Sequence, residues 1–281
     1  MNSSKRQTYL RLLLSYLILI IMAVICIYPL LWVIGASFSP GDGIFSTSLV
    51  PKHATLAHYR WLFFNPNSQY PTWYWNTLKI ALINAFVSVI ITTGTAYVFS
   101  RYRFFGRKYG LVLFLTLQMF PSMMTMVAIY LLLNWIGLLD THLGLLIFYA
   151  GTQIPFNTWL VKGYFDTIPY SLDEAARIDG AGHVTIFWKV IMPLAKPILA
   201  VMFLFNFMTP MTDFLLPQII LTSPDNQTLA VGLFSFINKD VGKQYTLFAA
   251  GSVLIAVPIT VIFLSLQRYF ISGLTAGANK G

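Results

Sequence analysis

Few residues in this chain belong to types that do chemistry, and where they sit restricts what that chemistry is. Gln118, Gln153, Asn157, Asn206 and Asp213 all lie inside long apolar stretches. Neutral amides both donate and accept hydrogen bonds, which suits a hydroxylated solute such as sugar better than an ion. Lipid cannot satisfy freed backbone or amide groups. These residues and the nearby Pro121, Pro155, Pro210 and Pro217 therefore imply a surface lined by protein or water. Asp213 is the only carboxylate clearly within such a stretch, and two readings stand for it. It is either an ionisable site on a solute pathway or a satisfied aspartate near the outer end of a helix.

A second kind of chemistry, docking, is written in the run from Tyr170 to Pro197. Ser171 and Glu174 form an S-x-x-E capping box, which predicts a short helix from Leu172 to Asp179. Gly180 and Gly182 supply the residue type that ends a helix in a left-handed turn. On that helix Leu172, Ala175, Ala176 and Ile178 share one arc, and Asp173, Glu174 and Arg177 share the other. Asp173 and Arg177 are spaced as an i, i+4 ion pair. Asp179 falls within the apolar arc, which disfavours a helix merely lying on lipid. A small two-faced helix of this kind docks into something.

Other chemistries lack the residues they need. The chain has no G-x-x-x-x-G-K-[ST] loop, no H-E-x-x-H and no G-x-S-x-G elbow. His53 and His58 are five apart without a third ligand, so no metal site is expected. Cys26 is the single cysteine, which excludes a disulfide framework.

Composition explains why so few polar residues are present. Of 281 residues, 57% are hydrophobic and 10% charged, the balance of a membrane protein. Six stretches are long and apolar enough to span a hydrocarbon core of ~30 Å as helices. They lie near 12–36, 77–99, 109–135, 143–164, 197–221 and 246–270. The first is about twice the length of a signal-peptide core, so it reads as an uncleaved helix. The expected architecture is all-α and polytopic. A cytoplasmic segment (1–11) precedes a transmembrane domain (12–270), and a cytoplasmic tail (271–281) follows it. Six spans put both termini on one side. Of the 18 Lys and Arg, only Lys52, Arg60, Lys79, Lys239 and Lys243 then fall on the other. That bias makes the terminal side cytoplasmic, and it explains the net charge of +9 without nucleic acid.

The run Glu174-Ala175-Ala176, three residues, Gly180, nine residues, Val190-Ile191-Met192-Pro193 resembles the EAA loop of ABC importer permease subunits. That loop usually reads E-A-A-x3-G-x9-I-x-L-P, and Val190 and Met192 are mild apolar changes from it. The resemblance extends over nearly the whole chain and is closest to the shorter permease subunit of maltose-type carbohydrate importers. It implies a type I ABC importer permease fold whose cytoplasmic loop, 165–196, carries a coupling helix. Through Glu174, Ala175, Ala176, Asp179, Gly180 and Pro193 that loop seats on a separate ATPase. It implies a bacterial cell-membrane location and several partners: a second, homologous permease, two copies of the ATPase and an external sugar-binding protein. This chain would bind no cofactor, with ATP and Mg used by the ATPase. The solute is expected to be maltose, maltodextrin or a related oligosaccharide.

Two further segments gain a role from the resemblance. Thr228-Leu229-Ala230-Val231-Gly232-Leu233 is similar to the outer loop that probes the sugar-binding protein, with Thr228, Leu229 and Gly232 as contacts. By composition alone the segment reads as re-entrant. Gly273-Leu274-Thr275-Ala276-Gly277 with Lys280-Gly281 is similar to a tail that reaches between the ATPase subunits. By composition it is only a flexible end. Gln118, Asn157, Asn206 and Asp213 are the candidate pathway residues. An ion-coupled secondary transporter using Asp213 is the alternative, and it leaves the EAA spacing unexplained. The tryptophans and tyrosines between Tyr59 and Trp75 suit a membrane interface, and part of that loop is a second candidate for touching a binding protein.

Overall fold

The computed structural model of the protein describes residues 3–42, 49–119, 121–238 and 242–278, and among them the regular structure is helical. The chain divides into two compact units. One comprises Met1–Ser68 with Leu233–Ile255, the other Gln69–Gly232 with Ala256–Gly281.

The first unit begins with α1 (Ser3–Ser37), whose sides are exposed along most of its length, as an apolar helix facing lipid requires. The short α2 (Ala57–Phe64) buries Leu62. Tyr59 donates its hydroxyl to Ser37 Oγ at 2.8 Å, and Trp61 meets the ring of Phe236 edge-on. Part of the aromatic patch is thus internal packing rather than an interfacial belt.

The second unit is organised around α3 (Tyr70–Arg101), which packs on α6 (His142–Asp166) and α10 (Lys196–Thr212). Its inner stripe is Ala81, Ala85, Ser88, Thr92 and Ala96, all buried. Small residues at this spacing let helices approach closely in an apolar solvent, where packing rather than hydrophobicity drives association. Two buried clusters lie along the bundle. Ile80, Leu145, Tyr149, Leu216 and Ile220 form one, and Ala96, Val161, Phe165, Ile186, Ile191 and Met202 the other.

All six apolar stretches fall on helices, but not all are single rods. Among the described residues Gln7–Ser37, Tyr70–Arg101 and Tyr245–Tyr269 are continuous and apolar enough to cross a bilayer. The stretch 109–135 is split into α4 (Arg107–Leu117) and α5 (Ser122–Trp135). Pro121, which lacks an N–H and disfavours helical backbone before it, stands just ahead of α5. The stretch 197–221 is split into α10 and α11 (Leu215–Ile220) at Asp213, whose ψ of 125° is extended.

The docking segment is α7 (Tyr170–Ile178), followed by α8 (His183–Ile186), a π-helical turn (Phe187–Ile191) and α9 (Met192–Leu194). An 80° bend then separates His183–Leu194 from α10, with Pro193 and Pro197 on either side of it. α12 (Leu229–Ile237) and α13 (Tyr245–Ala278) complete the chain. α13 continues to Ala278, so the tail expected to be a flexible end from Gly273 is helical that far. Its last residues, 279–281, lie outside the described residues, as does Gly43, the last residue of the Pro40-Gly41-Asp42-Gly43 run whose composition predicts a turn.

Candidate functional site

Three corrections to the expected helix at 172–179 share one cause. Helix α7 starts at Tyr170, two residues early, with Pro169 before it and no side-chain cap, so the Ser171–Glu174 box does not form. Asp173 does not pair with Arg177 either. It turns inward, and its Oδ2 lies 2.7 Å from Arg101 Nε at the end of α3. Both side chains are covered, at 1% and 2% exposure. Leu172 and Ile178 of the apolar arc remain open, at 41% and 87% exposure, and Ala175 is exposed too. Only Ala176 packs on the core. A charge partner 72 positions away in sequence therefore outranks both local signals and turns the apolar arc outward.

The Arg101 guanidinium is held on every side. Its carbon stands 4.4 Å from the centre of the Tyr170 ring, Nη2 donates to Ile168 O at 3.0 Å, and Nη1 donates to Ser100 Oγ at 3.2 Å. Tyr170 donates its hydroxyl to Ser100 O at 2.7 Å, and Ser100 Oγ donates to Asp166 Oδ1 at 2.8 Å. Arg107 reaches back to Phe99 O and Ser100 O, both at 2.8 Å. The ends of α3 and α6 and the start of α7 thus form one charged, hydrogen-bonded joint with the covered Arg101–Asp173 pair at its centre. Removing one member of such a buried pair costs about 3–5 kcal/mol, because the other charge is left uncompensated.

Beyond α7, Gly180 has φ of +82°, the left-handed turn its residue type predicts. Gly182 differs, with φ of −76°, and precedes α8 instead of ending α7. Glu174, Asp179, Gly180 and Pro193 are exposed on the chain. Five of the six coupling candidates therefore line an open surface, while Ala176 packs on the core and Ile191 is fully buried.

Further along the second unit, a cleft of about 700 Å³ is lined by Gln118, Gln153, Asn157 and Asn206 together with Thr152, Thr209, Phe156 and Phe205. Among the described residues no charged side chain lines it. Three of the four candidate pathway residues, Gln118, Asn157 and Asn206, come together here. Asn157 Nδ2 donates to Asn206 Oδ1 at 3.0 Å, and Asn206 Nδ2 donates to Met202 O at 2.7 Å. Gln118 Nε2 donates to Thr152 O at 2.8 Å. Asn84, which sequence reasoning passed over, ties the set together. Its Nδ2 donates to Asn206 O at 2.7 Å and to Gln153 Oε1 at 3.1 Å. The one side-chain amide within the second stretch was the available signal.

Asp213 is not among the lining residues. It accepts from Tyr149 Oη at 2.9 Å and from the Leu216 N–H at 3.4 Å. It works as the satisfied aspartate that starts α11 across the break, the second of the two readings given to it.

Thr228, Leu229 and Gly232 are corrected by burial. Thr228 and Leu229 are fully covered, and the Leu229 N–H donates to Thr77 Oγ1 at 2.7 Å. A Cβ at position 232 would fall inside the Trp73 indole, so only glycine fits there. These residues seat α12 on α3 and cannot touch a docked protein in this conformation. The preceding loop is clasped by Asp140, whose φ of +58° is unusual for a non-glycine residue. Its Oδ1 accepts from the Thr222 and Ser223 N–H groups at 2.9 and 3.0 Å, its Oδ2 from the Ser223 hydroxyl, and its carbonyl from Asn226 Nδ2 at 2.8 Å. Burial pushes the Asp140 carboxyl up, but these bonds outweigh it and hold it below its ordinary value.

This arrangement can be set beside known proteins. The chain is 50% identical over 278 residues to the galactooligosaccharides transport system permease protein GanQ of Bacillus subtilis (strain 168), covering 99% of this chain and 98% of that one. It is 46% identical over 281 residues to the maltodextrin transport system permease protein MdxG of the same organism, covering all of both. A crystal structure of a bacterial ABC transporter importing the acidic polysaccharide alginate contains a chain with TM-score 0.81 and 26% identity, covering 96% of this chain and 99% of that one. Residues 86–275 match the description "Binding-protein-dependent transport system inner membrane component", and the chain belongs to that family of ABC importer permeases.

Proposed function

We propose that this chain is one permease subunit of an ATP-driven, binding-protein-dependent importer of a neutral oligosaccharide of the maltodextrin or galactooligosaccharide kind. The observation that carries the reading is the orientation of α7. Its charged residue Asp173 is locked into the membrane bundle, and Leu172, Glu174 and Ile178 are presented outward. A helix so built transmits force: whatever holds its outer face moves α3 and α6 with it.

In this mechanism a second, homologous permease completes the pathway, and two copies of a cytoplasmic ATPase hold the coupling helices. The six apolar stretches span the membrane with both termini in the cytoplasm. ATP and Mg act in the ATPase, and this chain, lacking a phosphate-binding Gly-rich loop, hydrolyses nothing itself. A loaded external binding protein at one face and ATP at the other bias one two-state equilibrium between inward and outward access. Glu174, Ala175, Ala176, Asp179, Gly180 and Pro193 provide the ATPase contact. The amide-lined cleft at Gln118, Asn157 and Asn206 provides a wall of the pathway. The names of the relatives support the oligosaccharide class, and the uncharged cleft lining agrees with it.

The test is uptake of labelled maltotriose and of β-linked galactotriose into vesicles holding the complete complex, with the binding protein outside and ATP inside. ATP-dependent uptake of at least one is expected. Uptake driven by an ion gradient without ATP, or no uptake of either sugar, would overturn the reading.

A further inference from the structure

Two adjoining grooves at the α7 end of the bundle share Lys108, Leu111 and Lys162 as walls. One, of about 560 Å³, runs between α4 and α6 over Leu111, Leu115, Trp159, Leu160 and Ile198. The other, of about 890 Å³, opens onto Phe105, Arg107 and Tyr109. An apolar channel therefore ends at two ammonium groups, with exposed aromatic rings beside them. The proposed transport mechanism gives no role to Lys108, Lys162 or these rings, although Leu160 and Ile198 also line the amide cleft and Arg107 braces the end of α3.

The charges around this junction do not cancel. Lys162 Nζ lies 2.5 Å from Asp166 Oδ2, and the other oxygen of Asp166 is taken by Ser100. Lys162 keeps two further N–H donors, and Lys108 is 5.8 Å from the Tyr109 ring centre, a weak contact. Arg107 spends donors on two carbonyls but keeps its charge at the rim. Among the described residues three cations face one carboxylate, and no carboxylate lines either groove.

We propose that this junction binds one anionic glycerophospholipid. Its phosphate lies between Lys108 and Lys162, and an acyl chain runs along Leu111, Leu115 and Ile198. The excess positive charge selects an anionic headgroup over a zwitterionic one, whose own cation would meet the lysines. The apolar channel selects a lipid over free phosphate, which would leave that channel unfilled. A partner's apolar helix could cover the channel but would make no use of the two lysines.

The experiment takes the intact complex in phosphatidylcholine nanodiscs with and without phosphatidylglycerol, and counts retained lipid by native mass spectrometry. One phosphatidylglycerol per copy of this chain is expected. Lys108→Gln with Lys162→Gln should weaken its retention about tenfold or more, and Lys108→Arg with Lys162→Arg should restore it. Leu115→Trp, which fills the channel and leaves both lysines, should also displace the lipid, and it serves if the double glutamine variant does not fold. Unchanged retention in the glutamine or tryptophan variant would overturn the proposal. So would equal displacement by inorganic phosphate, or phosphatidylcholine held as tightly as phosphatidylglycerol.

Discussion

Arg101 and Asp173, 72 residues apart in sequence, meet at 2.7 Å with both side chains almost wholly covered. The contact makes the end of α3 and α7 one mechanical piece. Asp173→Asn keeps the shape and removes the charge, leaving Arg101 buried without a counter-ion at a cost of about 3–5 kcal/mol. The expected outcome is normal membrane insertion and normal ATPase binding, with sugar uptake reduced at least tenfold. ATP hydrolysis measured with and without loaded binding protein checks it, because a broken joint loses the stimulation and keeps the basal rate.

The two glycines after α7 should behave differently. Gly180 sits at φ of +82°, where an L-residue costs about 1–2 kcal/mol, whereas Gly182 at −76° is in ordinary extended backbone. Gly180→Ala should lower uptake several-fold and Gly182→Ala should leave it near normal. Uptake assays on both variants, with membrane amounts matched by immunoblot, read the contrast.

In the cleft, Asn206 accepts from Asn157 through its side chain and from Asn84 through its backbone. Asn206→Leu deprives Asn157 of its acceptor and removes a polar wall, at about 1–3 kcal/mol for the stranded amide. Uptake should fall, with the KM for sugar rising more than basal ATP hydrolysis changes. The amide Asn206→Gln should retain part of the activity.

On the opposite pole of the second unit, the Asp140 clasp predicts a pH effect. Its carboxyl is held below its ordinary value of 3.8, so the folded state binds that proton less readily than the unfolded state. The stabilisation is complete above that ordinary value and is lost as pH falls through the lowered one. Asp140→Asn, which tolerates the same backbone, should cost roughly 1 kcal/mol at neutral pH after solvent screening. Thermal unfolding of both forms should show the gap closing in acid.

Gly232 tests whether α12 is packing or a contact surface. Gly232→Val must push into Trp73, so it should lower the unfolding temperature and not merely weaken binding-protein docking. Folding assays and docking affinity on the same preparation separate the two.

How much of this was legible follows from the range of each interaction. The apolar stretches were legible because composition over ~20 residues suffices to identify a span. The helix at α7 and its Gly180 stop were legible from local residue types, and Pro121 and the group around Asp213 marked the breaks. Arg101 was not, because beside Arg103 and Arg107 it reads as a topology signal, and its partner lies beyond three more helices. Asp173 misled for the same reason, since Arg177 offers a plausible local partner. Thr228 and Gly232 look outward in sequence because nothing there shows Trp73 or Thr77 arriving against them.

The most direct measurement of the central claim is co-purification of the tagged protein from its native membrane in mild detergent, comparing wild type with Glu174→Lys. Wild type is expected to bring a second polytopic permease and an ATPase, and Glu174→Lys to keep the permease and lose the ATPase. Recovery of the folded chain alone, or an ATPase held equally by both forms, would contradict that claim.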